Sequence, residues 1–179
     1  MENNFDINTK LSQALAFAIQ KHEQFHQTRE DGVTPYYVHI LRVVERLQKN
    51  GADENILVAA ALHDVVEDCK VIYEEIRKDF GEKVASYVEE VTIDPNGSQE
   101  TKGYLEKLRI ASVGGKTIKL ADKWDNIWEL RTKGYKSYGN LPPKDYLDKA
   151  KVVLEVCKDG NTDLAQKLQD EITLLENSL

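Results

Sequence analysis

Apolar residues recur at spacings of three and four along almost the whole chain, and period-two alternation is nowhere sustained. That pattern admits amphipathic helices and little else. The expected class is therefore all-α, a compact single-domain bundle of short and medium helices. The first stripe, Leu11, Leu15, Ala18, Ile19 and His22, predicts a helix from about Asn8 to Arg29. Thr28 to Val33 is a polar loop with a Gly. Thr34-Pro35 reads as an N-cap with Pro in the first helical position, opening a helix that ends before Gly51. Asp53 caps a third helix, which runs on through Ala59-Ala60-Ala61-Leu62-His63-Asp64-Val65-Val66-Glu67-Asp68. Short helices follow over Ile72–Phe80 and from Glu82 to about Val91. Asp94-Pro95-Asn96-Gly97-Ser98 is the clearest turn cluster. Tyr104, Leu105, Leu108 and Ala111 mark another helix, which Gly114-Gly115 is expected to break. Periodicity resumes from Thr117 to about Arg131, and two helices close the chain on either side of Gly160.

A chain of 179 residues can bury one real core, and two would be cramped, so residues 1–179 are expected to form one domain. The longest apolar runs are far short of a membrane span, and the first residues lack the basic and apolar regions of a signal peptide. Two cysteines, Cys69 and Cys157, make no disulfide framework, so a cytoplasmic setting is expected. A net charge of −7 disfavours nucleic-acid polymers. It still permits a phosphorylated small molecule, because a bound cation can invert the local field.

The chemistry concentrates in the third helix. On one continuous helix His63 and Glu67 are four apart, as are Asp64 and Asp68, so an imidazole and three carboxylates would face one spot. Acids favour the positive start of a helix, and these follow an apolar run. A local rule broken without local gain points to function, here a divalent metal and an activated water. The plainer alternative is a solvated helix end.

Three other positions stand out. His39 lies near the buried face of the second helix, where a hydrogen-bonded core histidine is the plain reading. His22 and His26 have a His-x3-His spacing that could hold zinc or line a pocket. Asp122 interrupts an apolar helix, with Asn126 on the next turn and Lys119 and Lys123 as possible salt-bridge partners; a bare Asp there is costly unless paired or metal-bound. Gly114-Gly115-Lys116-Thr117 lacks the upstream Gly of a phosphate-binding loop.

The order His39, His63-Asp64, Asp122 resembles the signature of the HD-domain metal-dependent phosphohydrolases. Pro35-Tyr36-Tyr37-Val38-His39, the run from Ala60 to Asp68, Phe80-Gly81-Glu82-Lys83-Val84 and Ile118 to Lys123 resemble the hydrolase domain of the RelA/SpoT family, which degrades (p)ppGpp. The ending resembles the short stand-alone alarmone hydrolases. The resemblance implies that His39, His63, Asp64 and Asp122 hold one divalent ion, usually Mn2+, and that Glu67 and Asp68 are the catalytic acids. It implies substrate contacts from Asn126, Lys123 and Tyr146. The chain departs from the pattern at Ile40, which replaces a Pro, and at Trp124-Asp125. The family's base-stacking Arg has no cleanly spaced counterpart, leaving Arg29 or His26 to hold the base.

From this set the expected reaction is removal of the 3′-pyrophosphate of a (p)ppGpp-like nucleotide. Glu67 would orient or deprotonate the water, and Asp68 would assist or protonate the leaving group. Lys102, Lys116 and Lys123 are candidates to neutralise phosphates. Two other readings stay open: an HD phosphohydrolase acting on NADPH or a deoxynucleotide, and a non-catalytic nucleotide sensor. The oligomeric state cannot be read from the sequence.

Overall fold

The computed structural model describes residues 9–93 and 102–179. The turn cluster at Asp94–Ser98 and the side chain of Lys102 lie outside the described residues. Ten α-helices are present among those described: α1 Lys10–Gln24, α2 Tyr37–Lys49, α3 Glu54–Ala61, α4 Val65–Cys69, α5 Tyr73–Phe80, α6 Glu82–Val91, α7 Lys102–Ile110, α8 Val113–Lys133, α9 Pro143–Cys157 and α10 Thr162–Glu176. The only extended pairings among the described residues are isolated bridges, Thr28 with Pro35 and Tyr138 with Leu141. The architecture is the all-α bundle that the periodicity predicts.

Helix α8 is the axis, buried along nearly its whole length, with α2, α3, α6, α9 and α10 packed around it. Its first turn differs from expectation. Gly114-Gly115 does not break a helix; it lies inside α8, and the break comes at Ala111-Ser112. Ser112 caps α8, its hydroxyl accepting from the Gly115 amide at 3.2 Å. The glycines answer a tertiary need. A Cβ on Gly114 would stand 2.4 Å from the Tyr87 ring, and one on Gly115 2.2 Å from a Glu90 carboxylate oxygen. Only a missing side chain lets α6 approach so closely.

The first helix is shorter than its periodicity implies. It stops at Gln24, and His26 turns the chain with φ +51°. The segment from Phe25 to Tyr36 is a loop pinned by Asp31, whose carboxylate accepts from the Val33 amide at 3.0 Å, the Thr34 amide at 2.7 Å and the Thr34 hydroxyl at 2.6 Å. Thr34 is thereby committed to the loop, and α2 begins at Tyr37 without a side-chain cap. Asp53 does cap α3, accepting from the Ile56 amide at 3.1 Å.

The largest correction concerns the central stretch. Helix α3 ends at Ala61, Leu62 to Asp64 form a turn, and α4 starts afresh at Val65. Glu67 and Asp68 therefore belong to a new helical turn with Asp64 at its N-cap, where acids are favoured. The expected conflict with the dipole does not arise. The turn does more than a straight helix would, because it frees His63 to bond back to Ala60 and face Asp122 of α8, while Asp64 meets Tyr36 and His39.

Candidate metal centre and cleft

His39 from α2, His63 from the turn and Asp122 from α8 come together in the core. One potential ligand atom of each lies within 4.8 Å of the others. His39 Nε2 is 3.4 Å from Asp122 Oδ1, and His63 Nε2 is 4.0 Å from the same oxygen. Asp64 joins at the edge, its Oδ2 standing 2.9 Å from His63 Nε2 and 3.9 Å from His39 Nε2. That oxygen also accepts from the Tyr36 hydroxyl at 2.6 Å.

The two imidazoles are oriented from behind. His63 Nδ1 meets the Ala60 carbonyl at 2.8 Å, so it carries the proton there. His39 Nδ1 meets Asp125 Oδ2 at 2.8 Å. Both Nε2 atoms therefore face the carboxylates, and both are buried without a well-aligned hydrogen bond. Buried nitrogens left without partners are costly, and histidines whose Nδ1–H is held by an oxygen are the usual arrangement behind a metal. Burial works against charge on His63, but the Asp64 carboxylate outweighs it and pushes the imidazole up to about 9. Asp64 is held well below the usual carboxylate range, burial being outweighed by His63. The negative field that draws a proton to this point would also draw a divalent cation. Two imidazole nitrogens with carboxylate oxygens suit such an ion.

The two carboxylates of the cluster, Asp64 and Asp122, line a cleft of about 250 Å³. Glu67 and Asp68 line it from α4, Lys119, Lys123 and Asn126 from α8, and Tyr146 from α9. Burial raises Glu67, with the Asp64 charge adding to it; its Oε2 accepts from the Ile93 amide at 3.1 Å. Burial, Asp64 and Glu67 together push Asp68 up to about 7. Lys119 Nζ lies 2.9 Å from Asp122 Oδ2, and Lys123 donates to the Tyr146 hydroxyl at 3.2 Å. Asn126 donates to Asp122 Oδ1 at 2.6 Å. A larger groove of about 440 Å³ between α7 and α9 contains none of these groups.

Residues 14–136 match the HD-domain family profile. The chain belongs to the HD-domain family. The guanosine-3′,5′-bis(diphosphate) 3′-pyrophosphohydrolase MESH1 of Drosophila melanogaster is 36% identical, over 92% of this chain and 93% of that one. The guanosine-3′,5′-bis(diphosphate) 3′-pyrophosphohydrolase of Aquifex aeolicus is 36% identical over 68% of this chain, which spans 18% of that longer protein. A solved structure of a metazoan SpoT ortholog reported to hydrolyse ppGpp superposes with a TM-score of 0.79 at 32% identity, covering 92% of this chain and 94% of that one.

Within this HD-domain protein the expected site residues fall into three groups. His39, His63, Asp64 and Asp122 converge, and Glu67, Asp68, Lys123, Asn126 and Tyr146 line the adjoining cleft. Arg29 also reaches the cleft, but its guanidinium is tied down. It donates to Glu129 Oε2 and Asn126 Oδ1, each at 2.8 Å, and to the Tyr138 hydroxyl. It lies over the rings of Tyr36 at 5.1 Å and Tyr138 at 5.6 Å. His26 is not brought to the cleft: α1 ends too early, and the left-handed turn carries the ring into solvent. His22 is buried instead, stacked on Tyr36 at 4.6 Å, so the His22–His26 pair does not converge. Lys116 is also outside, clamped on Asp159 at 2.8 Å.

Sequence reasoning missed Tyr36, Tyr138 and Glu129, and above all Asp125. Asp125 is fully buried and accepts from His39, from Arg42 Nε and Nη2, and from Arg46 Nε and Nη2, all between 2.8 and 3.1 Å. Arg42 and Arg46 lie three and seven residues beyond His39, on one helix face. That spacing is the only signal that could have paired them with a buried acid.

Proposed function

We propose that this chain is a metal-dependent phosphohydrolase that removes the 3′-pyrophosphate of (p)ppGpp-like nucleotides, releasing the 3′-hydroxyl nucleotide and pyrophosphate. One observation carries the reading. Two buried imidazole nitrogens and two carboxylates converge beside a cleft lined by two further acids and two lysines. The similarity to curated pyrophosphohydrolases over most of the chain names the substrate class.

His39, His63, Asp64 and Asp122 are the residues that would hold one divalent cation, with Mn2+ the ion we favour for this mixed nitrogen and oxygen set. When bound, such an ion polarises a phosphoryl oxygen and makes water more acidic. The chain's own groups do the rest. Glu67, fixed by the Ile93 amide, orients the attacking water and takes its proton. Asp68, held near neutrality in its acid form, returns a proton to the departing ribose 3′-oxygen. Lys119 and Lys123 stay cationic and offset the phosphate charge. Asn126 and Tyr146 border the ribose, and Arg29 with its two tyrosines forms the surface offered to the base. The free, buried thiols of Cys69 and Cys157 suit a reducing cytoplasm, and no helix among the described residues is long and apolar enough to cross a membrane.

The test is a manganese-supplemented assay on ppGpp, ppApp, NADPH and a deoxynucleoside monophosphate, with products resolved. Pyrophosphate release from the alarmones is expected. Inorganic phosphate from NADPH or the deoxynucleotide, with no pyrophosphate from either alarmone, would overturn the assignment.

A further inference from the structure

A second concave site sits on the outer face of α2 and α8. The molecule carries a net charge of −7, yet one groove of about 390 Å³ gathers Arg42, Arg46, Lys49 and Lys167 around Trp124 and Trp128. Its only lining carboxylate is Glu45. The groove shares no lining residue with the cleft.

Its cations are only partly engaged. Arg42 and Arg46 reach inward through Nε and Nη2 to Asp125, and Arg42 also reaches Glu129. The Nη1 group of each arginine has no acceptor among the described residues, and neither is among the buried unsatisfied atoms, so both are open to solvent. A guanidinium has five N–H donors in a rigid fork suited to phosphate. Here the forks are held at a fixed height by the indoles, Arg46 lying 4.0 Å over Trp124 and Arg42 5.1 Å over Trp128. Lys167 meets the neutral Asn50 oxygen at 2.6 Å and lies 5.5 Å over the Trp124 ring, and among the described residues Lys49 pairs with the exposed Glu45 one helical turn away. A fixed pair of guanidiniums, two available ammonium groups and two half-exposed indoles match an anion with an aromatic ring.

We propose that this groove binds a nucleoside di- or triphosphate, its phosphates on Arg42, Arg46, Lys49 and Lys167 and its base against the tryptophans. Occupancy slows the hydrolysis proposed above, on which this part of the inference rests. The route is short: the phosphates compete with Asp125 for the two guanidiniums, and Asp125 is the group that holds His39 Nδ1. A ligand that binds better when the arginines leave Asp125 must shift the metal-ligating histidine toward a looser state.

The chain contains two tryptophans and both line the groove, so intrinsic fluorescence reports on it directly. ADP, GDP, pyrophosphate and adenosine are titrated against the wild type and a Lys49→Gln/Lys167→Gln double variant. Saturable quenching by the nucleotides is expected, weaker with pyrophosphate and absent with adenosine. The double variant should weaken it by about tenfold, the size of losing two partly exposed charge contacts. At saturating substrate ADP should lower kcat, with the midpoint about tenfold higher in the double variant than in the wild type; competition in the cleft would raise KM alone. Quenching that survives unchanged in the double variant would remove the groove as the site. Pyrophosphate binding as tightly as ADP would remove the base contact, and binding without a fall in kcat would remove the coupling. The fluorescence arm needs no turnover. A protein that binds but does not hydrolyse would sink the hydrolase reading alone, and an active protein without quenching would sink the groove alone.

Discussion

Replacing Asp125 with Asn tests whether His39 is held in place from behind. The substitution keeps the shape and one acceptor oxygen but removes the one carboxylate that Arg46 pairs with among the described residues and the main one that Arg42 meets. Breaking a fully buried ion pair costs about 3–5 kcal/mol. Arg42 and Arg46 are 20% and 14% exposed and so still reach water, and Arg42 keeps Glu129 at 2.9 Å. We therefore expect a loss of about 2–3 kcal/mol in urea unfolding of the metal-free protein. A loosened imidazole should also bind its ion more weakly, by about 10- to 100-fold in manganese titration calorimetry, the usual effect of losing an outer carboxylate partner. Gly114→Ala is the control for instability alone. Its new Cβ meets the Tyr87 ring at 2.4 Å, far from His39, and should cost about 1–3 kcal/mol without changing manganese affinity. The reasoning fails if Asp125→Asn binds manganese as the wild type does, or if Gly114→Ala loses as much affinity.

Glu67→Gln should retain the metal and lower turnover by about 10²- to 10⁴-fold, the usual range of general acid–base help; wild-type turnover would make Glu67 a bystander. Asp68, raised to about 7, is in its acid form below that pH, so kcat should fall as pH rises through about 7, and Asp68→Asn should abolish that limb. Burial favours protonated Asp125, but the His39 hydrogen bond and Arg42 outweigh it and hold the carboxyl far below its ordinary range. Its stabilising contribution is thus present above the unfolded pKa of about 3.9 and lost as pH falls below it. The stability gap between wild type and Asp125→Asn should accordingly be constant above about pH 5 and narrow as the pH falls below about 4.

Most helices were legible because their signals are local. Gly81, Gly134 and Gly160 stop helices where the apolar stripes end, and Asp53 caps α3 as its position suggests. The groups that converge in the core were legible for a different reason: His63-Asp64 and Asp122 are polar groups placed in apolar helical sequence, which is costly unless something pairs with or binds them. His26 was misplaced because the apolar stripe ends at His22 and does not fix how far the helix runs beyond it: the helix stops at Gln24, five residues short of the expected Arg29.

What the sequence by itself determined is the set of helices and the identity of the groups that had to be buried together. What only the tertiary structure decided is how they meet. Gly114-Gly115 reads as a break along the chain and becomes part of α8 because Tyr87 and Glu90 of α6 occupy the space where side chains would stand. The stretch Ala59–Asp68 reads as one helix and bends at Leu62–Asp64, which brings His63 to Asp122 of α8 and Asp64 to His39 of α2. Asp125 finds His39 and Arg42 at separations of 86 and 83 residues. Such partners carry no local signal: periodicity reports which face of a helix is buried, whereas the choice of the group opposite it is made by packing.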